Sequence, residues 1–157
     1  MTKNITYNNL IDKFEDLADR HPQLNHFGSG DLTKIQTEEK GFPYMWVSPT
    51  DGSGLSINNK RGLMTNLNFN LLVLDRLNFT NDVSNEQDVL SDTLQIIQDI
   101  MHNFIKETSI EMTFNINSDI GLSPIFEGDE DTKNRELGWF IEITLGLPYI
   151  SCSTPLK

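Results

Sequence analysis

The chain has 157 residues, 37% of them hydrophobic and 22% charged, which suits one folded domain and excludes a disordered polyelectrolyte. Acidic residues outnumber basic ones 23 to 12, for a net charge of −11, and the scattered Lys and Arg exclude a tight, sequence-specific grip on nucleic acid. One cysteine, Cys152, excludes an internal disulfide, and no apolar run reaches the ~20 residues that cross a bilayer.

Residues 1–10 carry no apolar stretch of the secretory-leader kind, and the single cysteine reads as a reducing compartment or no redox role. Residues 7–20 read as an amphipathic helix, with Leu10, Ile11, Phe14, Leu17 and Ala18 at three- and four-residue steps. Pro22 closes it, because proline disfavours a helical residue before it. Residues 24–35 read as a short strand with a turn around Gly28-Ser29-Gly30, and 36–41 as a loop. The aromatic run 42–48 reads as a strand, with Pro43 confined to its start or to a sheet edge. PTDGSG at 49–54 is a turn, Leu55 and Ile57 form a short strand, and NNKRG at 58–62 is a second turn.

The longest alternation follows at 63–77. Leu63, Thr65, Leu67, Phe69, Leu71 and Val73 share one face, and Met64, Asn66, Asn68 and Asn70 share a wet one. Both faces turn apolar at 71–74, which places that end in the core. Ordinary strands run about 5–6 residues, so the excess length predicts either a hairpin, about 42–77, that projects from the body, or a bulge or break inside the run. A central helix is predicted over 86–106, with a capping box from Ser84 to Gln87 and a wide stripe through Leu90, Leu94, Ile97, Met101 and Phe104. Ile110, Met112, Phe114 and Ile116 alternate as a strand. Residues 117–136 read as one acidic loop, and Trp139 to Leu147 as the last strand, ended by Pro148. Residues 149–157 read as a tail. The fold class is therefore α+β: a mainly antiparallel sheet with a long hairpin, packed by an N-terminal helix and one long central helix, in a single domain.

Chemistry is sparse along this chain. His21, His26 and His102 lack the companion ligands a zinc site requires. Glu127, Asp129, Glu130 and Asp131 offer carboxylate oxygens, but without the fixed spacing and closing Glu of a calcium loop they read as a solvated acidic loop. Asp75 with Glu111 or Glu142 forms no acid–base pair that the sequence brings together. Gly28-Ser29-Gly30 lacks the third glycine of a dinucleotide loop, since Thr33 stands there. Phe42, Tyr44, Trp46 and Phe79 carry no interleaved Arg or Lys, so they read as packing residues rather than base-stacking ones. No metal, cofactor or catalytic set is expected.

The order helix, hairpin strands, helix, strand, acidic loop, strand resembles the tail-completion or tail-terminator proteins of tailed bacteriophages. The resemblance is carried by YNNLIDKF at 7–14, GFPYMWV at 41–47, NLNFNLLVLD at 66–75 and the helix of residues 88–105. The Asn- and Tyr-rich wording is similar to phages of Bacteroidetes hosts, including the crAss-like group. The loop at 117–136 is longer than in a minimal member. The resemblance implies a virion protein, assembled in the host cytoplasm. It also implies a homo-oligomeric ring of six or twelve subunits between portal or adaptor and tail, through which double-stranded DNA passes, with no catalysis and no membrane. It further implies interface or lumen roles for Asn58, Lys60, Arg61, Glu127, Asp129, Glu130, Asp131 and Tyr149. Two other expectations stand beside it: a small acidic adaptor or inhibitor that binds a basic partner through the acidic loop, and a metal-dependent hydrolase that uses the same carboxylates.

Overall fold

The computed structural model describes residues 5–36, 41–60, 62–80, 83–111, 115–116, 120–127 and 135–149. Its spine is a pair of antiparallel strands, β4 (Gly62–Arg76) and β9 (Glu136–Pro148), matched without a break from Met64 opposite Pro148 to Arg76 opposite Glu136. The predicted long strand is thus one continuous element. Each spine strand carries two short strands in line along its outer edge. β2 (Tyr44–Pro49) pairs with the far half of β4, and β3 (Gly54–Asn58) with the near half. β7 (Asn115–Ile116) and β8 (Leu122–Glu127) share the outer edge of β9 in the same way. β1 (His26–Ser29) adds to β2 in parallel, completing a seven-stranded sheet. A separate two-residue ladder, β5 (Phe79–Thr80) with β6 (Val83–Ser84), bridges the sheet to the central helix.

α1 spans Tyr7–Arg20, matching the predicted limits. Thr6 caps it: the Asn9 N–H donates to the Thr6 hydroxyl, and the Thr6 N–H donates to Asn9 Oδ1. α2 spans Glu86–Glu111, with Glu86 and Asp88 in its first turn, where the helix dipole favours negative charge. Both helices lie on one face of the sheet. Phe14 of α1 stacks on Phe104 of α2 at 4.5 Å and meets Phe69 of β4 edge-on at 5.6 Å. Around these rings pack Met45 and Val47 of β2, Leu71 and Val73 of β4, Ile141, Ile143 and Leu145 of β9, and Ile96, Ile97 and Ile100 of α2. A smaller cluster, Tyr44, Trp46, Leu72 and Leu74, lies on the opposite face under Ile35, Phe42, Ile125 and Phe140. This is why 71–74 is apolar on both sides.

Three expectations are corrected. The central helix does not stop at 106 but runs to Glu111, into the strand expected at 110–116; of that strand Asn115–Ile116 is extended and residues 112–114 lie outside the described residues. Thr108 explains the extension: it is buried, and its hydroxyl donates to the Phe104 carbonyl one turn back, so a polar residue continues the apolar stripe. Thr93 does the same toward Val89 at 2.6 Å. The acidic loop expected over 117–136 contains β8, held by its ladder with β9, which leaves a far shorter connection. Finally, the hairpin expected to project over 42–77 is no free arm. β9 runs beside β4 almost to its start, so only the β3 side stands clear of the body.

Close approach of the spine strands is decided at Gly138. A Cβ placed there would lie 1.8 Å from the Val73 carbonyl oxygen, a backbone atom that cannot move without breaking the ladder. Gly138→Ala is therefore expected to cost about 2–4 kcal/mol in chemical denaturation, against little change for Gly54→Ala, where a Cβ meets open space. The helices are tied by Glu107 of α2, which accepts from Lys13 at 2.5 Å and from Arg20 at 2.8 and 3.0 Å. These bonds, Lys13 first, hold the Glu107 carboxyl below its usual range. A carboxylate with a depressed folded-state pKa binds fewer protons when folded. Its contribution is thus complete above the unfolded value and lost as pH falls through the folded one. Glu107→Gln should lower the melting temperature at neutral pH, and its difference from wild type should shrink as pH falls to about 3.

Candidate interaction faces

The residues singled out in the sequence separate into two groups at opposite ends of the spine. Asn58, Lys60 and Tyr149 meet at the Gly62 end. Asn58 Oδ1 accepts from the Lys60 N–H at 2.9 Å and so shapes the hairpin turn, which Gly62 completes at φ +73°. The Tyr149 N–H donates to the Leu63 carbonyl at 2.9 Å, which extends the β9 ladder by one rung and leaves the ring half exposed. Glu127 ends β8 at the other extreme, opposite Glu136 and hence near Arg76. Arg61, Asp129, Glu130 and Asp131 lie outside the described residues. The four described positions, Asn58, Lys60, Glu127 and Tyr149, therefore do not form one site.

Two features of the sheet carry more than that set. The first is the face opposite the helices. Alternation brings Asn66, Asn68 and Asn70 of β4 to this side, with Ser48 of β2 and Glu142 of β9 opposite Asn70, Thr144 of β9 opposite Asn68, and Ser56 of β3 beside Asn66, opposite the buried Met64. Asn68 is the hub. Its Nδ2 donates to the Asp51 carbonyl at 2.8 Å and to Glu142 Oε1 at 2.9 Å, and its Oδ1 accepts from the Thr144 hydroxyl at 3.1 Å. Its backbone N–H donates to the Ser53 hydroxyl at 2.9 Å, and its carbonyl accepts from Thr50 at 3.1 Å. Four residues, 50–53, are thereby folded opposite two, 67–68, and the turn expected at 49–54 becomes a bulge that carries the chain from β2 to β3 along one edge. Asn66 Nδ2 donates to the Ser56 hydroxyl at 3.0 Å. This stretch is a hydrogen-bonded surface of neutral amides and hydroxyls with one carboxylate and no cation. The sequence marks it as wet, but the cross-strand partners that make it a network come only from register.

The second feature is apolar. Leu55 stands in the row of Thr65 and the core residue Leu147, so it projects to the helix-bearing face, and Ile57, Leu63 and Tyr149 follow on that same side. All four are open to solvent: Ile57 is 84% exposed, Leu55 71%, Tyr149 50% and Leu63 40%.

Elsewhere the titratable groups are tied to structure. Buried Tyr44 donates to Glu136 at 2.7 Å, and burial, then this bond, push its phenol far above its ordinary range. Burial also raises the Asp75 carboxyl, with Asp92 adding to the effect. His21 lines a groove between α1 and α2 with Gln95, Asp99 and Asn103. Its Nε2 lies 3.5 Å from Asp99, and its Nδ1 accepts from the Gln23 N–H, which fixes the tautomer. Arg20, beside it, is already engaged by Asp16 and Glu107. Among the described residues no three His, Cys, Asp or Glu side chains gather around a possible ion, and no helix is long and apolar enough to cross a membrane. No known family model matches the chain, and no curated protein matches it in sequence.

The Asn68 network generates a direct test. Asn68→Ala removes three side-chain bonds, two of them to partners on other strands. It should cost about 1–2 kcal/mol in denaturation and speed amide exchange in residues 50–53 ahead of the rest of the sheet.

Proposed function

We propose that this chain is a structural subunit of a bacteriophage head–tail connector or tail ring. In this reading six or twelve copies form a ring between portal and tail, double-stranded DNA passes through it, and no bond is made or broken. The observation that carries the reading is the difference between the two faces of the sheet. One face is closed by α1 and α2. The other presents the Asn66, Asn68 and Asn70 stripe with Ser56, Glu142 and Thr144, and this stretch holds no Lys or Arg. A conduit for DNA requires a surface that does not hold phosphate. Amides without charge, that of Asn68 spent on its neighbours, beside one carboxylate, offer no counter-charge to phosphate. A polar face turned to the passage and a helical face turned outward fit that requirement. The net charge of −11 acts in the same direction.

Electron micrographs of the purified full-length protein should contain rings with a central opening, and a monomer at every concentration would overturn the reading. Replacing Asn66 and Thr144 by Lys is expected to leave ring size unchanged. The doubly substituted ring should retain double-stranded DNA in a gel-retardation assay at physiological salt, where the wild type does not.

A further inference from the structure

The bulge that carries the chain from β2 to β3 holds the one Asp-Gly step in the sequence, Asp51-Gly52, and no asparagine precedes a glycine. An aspartyl side chain and the peptide nitrogen after it are one bond short of a five-membered ring. Closing that ring needs a carboxyl without a partner, a nitrogen without a partner, and a following residue whose side chain does not stand in the way. All three meet here. Asp51 and Gly52 are exposed. Among the described residues neither the Asp51 carboxylate nor the Gly52 N–H has a hydrogen-bond or ionic partner. Gly52 has no Cβ and sits in a turn at φ +99°. Other aspartates fail these conditions. Those of α1 and α2 are followed by N–H groups held in a helix ladder, Asp31 is engaged by Thr33, and Asp75 by the Arg76 N–H.

We propose that Asp51-Gly52 is a site of spontaneous covalent modification and that Asn68 sets its rate. The Gly52 nitrogen attacks Cγ of the protonated Asp51 carboxyl. The N–Cγ bond forms, the carboxyl hydroxyl and the Gly52 amide hydrogen leave as water, and a cyclic imide results. A second water then opens the imide. Addition at Cγ breaks the new bond and restores aspartate. Addition at the main-chain carbonyl carbon breaks the original peptide bond and leaves isoaspartate, with the chain running through Cγ and the α-carboxylate as a branch. One water leaves, one enters, and nothing is oxidised or reduced. The attack turns the 51–52 peptide plane, and the Asp51 carbonyl lies in that plane. That carbonyl accepts from Asn68 Nδ2 at 2.8 Å. On either side the Thr50 N–H donates to the Asn68 carbonyl at 3.1 Å and the Ser53 hydroxyl accepts from the Asn68 N–H at 2.9 Å. The reacting groups are open, but the plane that must turn is pinned, so ring closure waits on release of the Asn68 bond. Isoaspartate lengthens the main chain by one carbon, and residues 50–53 then no longer fit opposite 67–68. The inference does not rest on the conduit reading, since it concerns this loop in any state of assembly.

Prolonged incubation of the full chain at physiological temperature and neutral pH, followed by tryptic mapping, tests this. The tryptic peptide 41–60 contains Asp51 as its only acidic residue. A second peak of this peptide should grow with unchanged mass and give the fragment ions of an isoaspartyl backbone under electron-transfer dissociation, ahead of every other aspartyl peptide. Asp51→Glu should give none, because its longer side chain would have to close a six-membered ring. Asn68→Ala should raise the rate about two- to tenfold, the range set by loss of one hydrogen bond. Asn68→Asp, which keeps the side-chain shape without its N–H groups, should do the same and serves if the alanine variant folds poorly. Gly138→Ala weakens the sheet and leaves the loop bonds in place, so it should age at the wild-type rate. Absence of isoaspartate at position 51 in the wild type and in both Asn68 variants overturns the inference. So do equal rates in the wild type and the Asn68 variants, or an equal acceleration by Gly138→Ala, which would trace the reaction to unfolding of the whole chain.

Discussion

Thirteen consecutive pairings between β4 and β9 organise the molecule. Because side chains alternate along both strands, this one register sets which residues face the helices and which face away. A slip by a single residue would carry Phe69, Leu71, Val73, Ile141 and Ile143 out of the core and drive Asn68, Asn70 and Glu142 into it. Burial of the first group against Phe14 and Phe104 therefore specifies the pairing more strongly than any hydrogen bond in it. Gly138 belongs to the same constraint, since the approach of Val73 leaves no room for a side chain.

The two ends of the spine are built differently, and the difference has a physical origin. Toward Arg76 the strands are covered on both sides, by the helices on one and by Ile35, Phe42, Ile125 and Phe140 on the other. Toward Gly62 the helices end first, and the outer face becomes the Asn68 network. The amides of Asn66, Asn68 and Asn70 stand on the reverse of the rows that the helices cover, while Leu55, Ile57, Leu63 and Tyr149 are exposed at the Gly62 end. The proposed conduit uses the first of these surfaces.

Charge plays a supporting part. The excess of carboxylates is spread widely, and the described ion pairs concentrate at the α1–α2 contact, where Glu107 receives Lys13 and Arg20. The Arg20 arm of this cluster is solvent-exposed and orients the helices more than it stabilises them, while the Lys13 arm is partly buried. The remaining carboxylates keep the surface soluble and repel polyanions, and Asp75, held above its usual range by burial, works slightly against the fold at neutral pH.

Much of the architecture was legible in the chain itself. The period of α1, the unbroken alternation of β4 and the polar face carrying Asn66, Asn68 and Asn70 follow from local spacing, because each depends only on which side of its own element a residue falls. The α+β class followed from the order of those elements. What the chain concealed was every feature that depends on a distant partner. Thr108 looks polar until its hydroxyl closes on Phe104, so the end of α2 was hidden. Residues 122–127 alternate too weakly to announce a strand and become one because β9 supplies the ladder. The candidate residues Asn58 and Tyr149 come to the same end of β4, on either side of it, and Glu127 stands apart, only through register. Local spacing determined the elements and their faces; tertiary pairing alone decided how far each extends and what covers it, because hydrogen bonds between strands and burial under helices are set by residues remote in the chain.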